Sequence, residues 1–358
     1  MSGTLKATIL QDGASSTANL TFDTNGNTTA GGTLAMSSSF LRNRIINGNM
    51  TIDQRNAGAS VTPTDGQYLV DRWVASLTAA SKYTAQQGTL TPSSTNGYNS
   101  NSLNITSSSA YSISSSDIFA ISQKVEGFNF YDMGWGTASA KTVTLSFWVY
   151  SSLTGTFGGC FVNSAQTRAY PFTYTISSAN TWTSISVTVP GDTSGTWVGA
   201  TNGIGVRVFW SLGVGSTYST TANAWAAGTY FAPTGATSVV GTSGATFYVT
   251  GVQLEVGTKA TPFEQRLYGT ELVLCQRYYF ALSAAIYGAI NTYPSSAQQL
   301  ASDLWWPVTM RTAPTVAATG TQTINSIGLT TQNKTSVLQT VNNGGIAGIS
   351  TATASAEL

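Results

Sequence analysis

Between residues 245 and 256 the apolar side chains keep a period of two that changes phase half-way. Phe247 and Val249 alternate with polar neighbours, then Val252, Leu254 and Val256 alternate in the opposite phase, so the inward face switches at Gly251. A slip of one residue turns every later side chain to the other face of a sheet, and a β-bulge at a glycine absorbs such a slip. The same period recurs at 143–150, where Val143, Leu145, Phe147 and Val149 share one face and Thr144, Ser146, Trp148 and Tyr150 the other. Residues 182–189 and 204–210 read as strands on the same grounds, and 72–76, 103–106, 117–125 and 157–162 as weaker ones. Eight or so antiparallel strands in two packed sheets make a jelly-roll sandwich.

The expected fold class is therefore mainly β: an antiparallel jelly-roll β-sandwich over residues 42–268, followed by a short helix and a small C-terminal β domain over 269–358. Composition agrees. Only 8% of the 358 residues are charged, too few for long surface helices laced with ion pairs, and 36 glycines supply tight turns. A chain this long buries roughly three quarters of its unfolded surface, enough for two folded units.

Gly257 ends the phase-switching strand and Pro262 stiffens its exit. The spacing of Leu272, Cys275 and Tyr279 predicts a short helix with Thr270 as its N-cap. Leu274 and Tyr278 form an adjacent stripe, more apolar surface than a short helix covers within one chain. Leu272, Leu274, Cys275, Tyr278 and Tyr279 are accordingly expected at an interface between copies. Beyond them come an aromatic strand RYYFAL, a Tyr293-Pro294 turn, the run DLWWPVTM with exposed-looking Trp305 and Trp306, and two short strands at 323–327 and 337–341. Residues 1–41 carry short alternating runs at Leu5, Ala7 and Ile9 and at Leu20 and Phe22, with turn signals at Asp12-Gly13 and Asn25-Gly26. They hold too little apolar mass for a core, which fits either a disordered tail or an arm ordered by a partner.

Several chemistries are excluded or unsupported. The chain has no histidine, which removes Ser-His-Asp and Cys-His catalysis and every histidine metal site. A carboxylate pair remains open to it, but the spacing of Asp117, Glu126, Asp132, Asp192, Glu255 and Glu264 singles out no pair, so no catalytic residue is assigned. No nucleotide-binding loop or acidic calcium cluster occurs, and no metal or cofactor is expected. A net charge of +1 offers no footprint for nucleic acid or an anionic membrane. The longest apolar run, FALSAAIYGAI, is too short to span a bilayer, and the N-terminus lacks a secretory pattern. Cys160 and Cys275 are expected as buried free thiols.

The constellation with binding chemistry is aromatic. Trp148 and Tyr150 project opposite Phe147, and Phe209 projects beside Arg207, so these four are the candidate ligand-binding residues of a glycan-stacking surface. In a sandwich covered by loops both faces can be buried, and Trp148 is then core. Trp135, Trp197 and Trp225, in turn-rich sequence, are alternative contacts.

Three segments carry a resemblance. VQLEVGTKATPFEQR followed by ELVLCQRYY is similar to the ending of a carbohydrate-binding-module-like jelly-roll domain found in bacteriophage tail-fibre and related virion structural proteins. NRIINGNMTIDQRNAGASVT with YLVDRW, at 43–61 and 68–73, resembles the opening of that domain, and PVTMRTAPTV, at 307–316, the segment after the helix. The resemblance implies a virion structural protein; the absent histidine and unpaired acids make a non-enzymatic one the expectation, and the lack of a secretory pattern predicts synthesis in the host cytoplasm. The resemblance also implies a homotrimeric tail or surface fibre, attached to other virion proteins through its N-terminal arm and touching host-surface glycans. A capsid or baseplate decoration protein and a carboxylate-dependent polysaccharide depolymerase are the alternatives.

Overall fold

The computed structural model describes residues 41–282, 298–320, 324–341 and 346–358, with the strands at 9–10, 20–22, 28–30 and 286–289. Two units separate, Met1–Phe40 and Leu41–Leu358. In the first, β1 (Ile9–Leu10), β2 (Leu20–Phe22) and β3 (Thr28–Ala30) pair antiparallel in one small sheet. The Asp12-Gly13 and Asn25-Gly26 turns lie outside the described residues, as does the Tyr293-Pro294 turn.

The second unit opens with β4 (Tyr68–Val70), β5 (Trp73–Leu77), β6 (Tyr83–Thr89), β7 (Asn101–Ser107), β8 (Ile118–Glu126) and β9 (Val143–Ser151). It continues through β10 (Gly155–Val162), β11 (Arg168–Ile176), β12 (Thr183–Val189) and β13 (Ile204–Val214), the short β14 (Ser219–Thr220), β15 (Ala226–Ala227) and β16 (Ala232–Pro233), and β17 (Thr246–Val256). β14 and β16 pair parallel with each other, and the rest build two antiparallel sheets, one in the order β12-β9-β17-β7-β6 and one in the order β15-β11-β10-β13-β8-β5-β4. The period of two decides what goes between them. Val143, Leu145, Phe147 and Val149 of β9 pack into one core with Val206, Val208, Trp210 and Leu212 of β13. Trp210 meets Trp73 at 5.2 Å and Phe147 at 5.7 Å between ring centroids, the second edge-on. The fold is thus the expected mainly-β sandwich with one short helix and small C-terminal sheets.

The phase slip is a bulge. Thr250 lies opposite Trp148 and Gln253 opposite Ser146, so Gly251 and Val252 together face the single Phe147. Gly251 has φ +59°, a left-handed conformation that suits glycine, and Val252 then enters the core fully buried. The opening segment runs past this bulge without forming a strand. Its backbone bonds run from Arg44 N to Leu254 O at 2.9 Å and from Val252 N to Gly48 O at 2.8 Å. A Cβ on Gly48 would lie 2.2 Å from the Val252 carbonyl oxygen, so only glycine permits the approach.

A buried polar network ties this segment to the helix. The Asn43 side chain accepts from Ile45 N and Leu254 N, each at 3.0 Å, and donates to Val252 O at 3.0 Å. Asn47 donates to Ile52 O and Asp71 O and accepts from Ile52 N. The helix, α1 (Tyr268–Gln276), begins after Leu267 and not at Thr270. No side chain caps it. Its start is set by Glu271, which accepts from Asn47 N and pairs with Arg266 at 3.3 Å, and by Arg266, which also donates to the Ile45 and Asn43 carbonyls. Cys275 and Tyr278, expected at a contact between copies, are instead fully buried within their own chain against Ile46 and Ile52. Leu272 and Leu274 pack partly against the same cluster, and Tyr279 is half-buried under the Arg55 guanidinium. The sandwich supplies the cover that the isolated helix lacks. Both cysteines are buried free thiols, as expected.

The remaining strands are β18 (Tyr279–Ala281), β19 (Ile286–Ala289), β20 (Gln298–Trp305), β21 (Thr315–Gly320), β22 (Ile324–Thr330), β23 (Lys334–Val341) and β24 (Ile346–Ser355). β24 pairs with β18, β19 and β21, and β23 lies between β20 and β22. Trp306 is buried beside Leu304 and Met310, and of the aromatic residues expected to be exposed here only Trp305, at 66%, is so. The tail returns to the junction, where Glu357 pairs with Arg72 and, at 2.7 Å, with Arg55, while Glu126 binds Arg277 at 2.6 Å and the Tyr278 hydroxyl at 2.6 Å.

Two stability predictions follow from the junction. Arg266→Met leaves Glu271 and two carbonyls buried without their cation and should cost about 3–5 kcal/mol, read as a lower urea midpoint. Asp71 behaves differently: burial pushes its carboxyl up to about 7, against the pull of Gln54 and Arg55. A carboxyl whose pKa is higher folded than unfolded holds its proton better in the native state, so its contribution to stability is full below 3.8 and declines as pH rises toward about 7. Asp71→Asn should remove that decline, so the stability of wild type relative to the variant should fall between those two values.

Candidate functional site

The outer face of the five-stranded sheet carries a row of side chains at one level of the register. Gln86 of β6 is opposite Asn104 of β7, Asn104 opposite Tyr248 of β17, and Tyr248 opposite Tyr150 of β9. Trp182, just before β12, continues the row. Four inter-strand spacings of about 4.8 Å make it about 19 Å long. The Tyr150 and Tyr248 rings stack at 5.1 Å and 8°, and Trp182 leans on Tyr150 at 5.6 Å and 50°. All three are half-exposed, so their faces are held by one another and still reach solvent. The Tyr150 hydroxyl donates to Asn180 Oδ1 at 3.2 Å, and Ser102 donates to Asn104 Oδ1 at 2.6 Å. Asn104 lies across Gly88, where a Cβ would stand 2.2 Å from its amide nitrogen. Partial burial raises the Tyr248 hydroxyl pKa, with Tyr150 beside it adding to the shift, so this phenol stays a neutral donor near neutral pH.

Trp148 sits one level along the same face, opposite Thr250 and Ser184, and is half-buried. Its indole lies beneath the left-handed Gly97, whose Cβ would come within 2.3 Å of Nε1, and beside Gly251. It props the 93–99 turn and forms a wall of the row. Tyr248 and Trp182 were not singled out from the sequence. Tyr248 shares parity with Thr246 and Thr250, an outward signal, but only the register places it next to Tyr150.

Arg207 and Phe209 are on the outer face of the other sheet, so the four predicted ligand residues do not form one surface. Phe209 is buried, meeting Phe231 at 5.0 Å beneath the segment that carries β14 and β16. Arg207 is half-buried at the end of this covered patch. Trp135, Trp197 and Trp225 gather into one edge-to-face cluster, with centroids 4.8–5.6 Å apart. Their indole nitrogens donate to Lys141 O, Asp192 Oδ2 and Pro190 O, which makes them a packed brace with no free donor.

The acids are engaged as well. Asp192 forms a two-point pair with Arg168 at 2.7 and 2.8 Å, Asp132 binds Arg44 at 2.7 Å, and Glu255 accepts from Thr261 N and Oγ1. Asp117 accepts from Thr78 and Ser114, and Glu264 from the amides of Leu41 and Asn43. Among the described residues no group of three or more Cys, Asp or Glu side chains could hold a metal ion, and no helix is long and apolar enough to cross a membrane.

No family model and no curated protein sequence matches this chain. Among solved structures it is similar to the enzymatically active domain of tailspike protein 4 of bacteriophage CBA120, at 12% identity and a TM-score of 0.34. That match covers 60% of this chain and only 22% of the tailspike chain. It is also similar to the family 11 carbohydrate-binding module of Clostridium thermocellum in complex with a mixed-linked tetrasaccharide, at 9% identity, a TM-score of 0.28 and coverage of 56% and 98%. The family 61 module TmCBM61 with galactotriose matches at 11%, 0.29, and 54% and 92%. Likeness at this level concerns the β-sandwich alone.

The packing of Trp148 and the exposure of Tyr150 separate in a mutational test. Trp148→Ala takes the support from beneath Gly97 and should lower stability by about 1–3 kcal/mol. Tyr150→Ala should change it by less than about 1 kcal/mol. Urea unfolding of the two variants measures the difference.

Proposed function

We propose that this protein is a non-enzymatic virion structural protein, a tail fibre or other surface fibre of a phage. In this reading the outer face of its five-stranded sheet binds glycans on the host surface. The observation that carries the binding half is the row Gln86, Asn104, Tyr248, Tyr150 and Trp182, aligned by register across the whole sheet. Pyranose rings present C–H faces that pack on aromatic rings, while amides and hydroxyls beside the rings pair with sugar hydroxyls. A row about 19 Å long, by the inter-strand spacing, suits several consecutive sugars of a chain and not one terminal residue.

The virion half is supported by the resemblance at 43–61, 68–73, 252–279 and 307–316. Those segments supply Asn43, Asn47, Arg55, Arg72, Arg266, Glu271 and Arg277 to the buried junction, so what they share with such proteins is a way of building this sandwich. A non-catalytic role is supported by the absence of histidine and by the engagement of each candidate acid in a structural bond. A homotrimer, which the resemblance also implies, would use surfaces other than the buried Cys275 and Tyr278.

Titration of the purified protein with host-surface polysaccharide tests the proposal. The double change Tyr150→Ala and Tyr248→Ala should weaken binding by about 1–3 kcal/mol, with an unchanged unfolding midpoint, and no reducing ends should accumulate. Unchanged affinity in the double variant would overturn the binding face, and protein-dependent release of reducing ends would overturn the non-enzymatic role.

A further inference from the structure

On the opposite side of the sandwich, a groove of about 290 Å³ crosses β5, β8 and β13 on the outer face of the seven-stranded sheet. Its floor brings together Ser122 and Lys124 of β8 with Arg207 and Phe209 of β13, and Gln166 and Phe231 form its walls. Lys124 and Arg207 are direct cross-strand partners, two cations side by side on one face. Like charges in that relation repel. Neither is paired with an Asp or Glu side chain among the described residues.

Lys124 donates to the main-chain oxygen of Leu358, the last residue of the sequence, and the Arg207 guanidinium reaches the Ser164 carbonyl through Nη2 at a long 3.4 Å. The Arg207 Nε is buried and has no acceptor. A guanidinium edge matches the two oxygens of a carboxylate. Burial lowers the pKa of both cations, that of Lys124 to about 8 with Arg207 adding to the shift and Glu357 opposing it. One acid lines the groove, Asp65, and its Oδ1 accepts from Leu77 N at 3.0 Å.

We propose that this groove is a second binding site, specific for a carboxylate-bearing sugar of the uronic acid type. Arg207 and Lys124 hold the carboxylate, Ser122 and Gln166 meet hydroxyls, and the edges of Phe209 and Phe231 face the ring. A bare inorganic anion would satisfy the cations and leave the aromatic end of the groove unfilled. A neutral sugar would bring no opposite charge to Arg207 and Lys124. The proposal shares its ligand class with the reading of the five-stranded face and shares no residue with it.

The test titrates the full chain at low ionic strength with methyl glucuronide, methyl glucoside and acetate, by calorimetry. The glucuronide should bind saturably, and the glucoside and acetate at least about ten-fold more weakly, the scale of one charge-assisted contact. Arg207→Gln and, separately, Lys124→Met should each reduce glucuronide affinity by about ten-fold or more at an unchanged thermal midpoint. The Tyr150→Ala and Tyr248→Ala double variant should leave it unaltered. Equal affinity for glucuronide and glucoside, acetate binding as tight as the glucuronide, or no saturable binding would overturn the site. So would glucuronide binding that survives Arg207→Gln or is lost in the double tyrosine variant. Because the tyrosine variant reads the other face independently, either assignment can fail while the other stands.

Discussion

The opening segment of the sandwich lies buried against β17 without joining the sheet, and its backbone groups must find partners other than a strand ladder. Besides two backbone bonds to β17, they find side chains. Asn43 occupies three backbone groups at the bulge, Asn47 three more, and Arg266 takes the Ile45 and Asn43 carbonyls while pairing with Glu271. The segment, the bulge and the helix therefore hold one another in place. Remove the cation, and a carboxylate and two carbonyls are left in a dry site. A chain with so few charges concentrates them here: Arg72 and Arg55 on Glu357, and Arg277 and Tyr278 on Glu126, extend the network to the C-terminal strands. Leu41–Leu358 is consequently one compact unit.

With the ends locked, the two outer faces of the sandwich have different fates. The seven-stranded sheet is roofed over Phe209 by Phe231 and Tyr218, and the cover stops short of Lys124 and Arg207, which leaves the cationic groove. The five-stranded sheet is covered at its Gly97 end by the turn resting on Trp148, and over Gln253 and Glu255 by the segment at 261–264. Beyond that turn the stacked Tyr150 and Tyr248 remain open to solvent. In both cases the candidate binding surface is the part of a sheet face where a covering loop ends. Polar and aromatic groups there are ordered by neighbours and not used up by them.

Much of the sandwich was legible because a half-buried strand writes its inward face into the sequence. The bulge at Gly251 and the strands containing Phe147, Trp210 and Leu254 all lie where the period of two put them. β6 and β11 escaped notice for a physical reason. Gln86 and Gln87 break the apolar rhythm of β6, and Ala169, Tyr170, Pro171 and Phe172 of β11 are buried on both faces, which erases alternation. The helix began two residues before its expected cap because a buried ion pair outweighed a surface hydroxyl. Trp305 and Trp306 look alike in sequence, yet neighbouring residues of a strand end point to opposite sides, one to solvent and one to the core.

The candidate sites divide along the same line. Parity alone turned Trp148 and Tyr150 outward from one strand and Arg207 and Phe209 outward from another, since each side chain's face depends only on its count along its own strand. The sequence also determined what is missing, since a chain without histidine cannot assemble a histidine-based site whatever its fold. Only the tertiary structure decided that the two pairs belong to different sheets, that Phe209 is roofed, and that Tyr248 and Trp182 complete the row with Tyr150. Strand order and register are set by pairings far apart in the chain, and the covering loops by packing that no local pattern encodes.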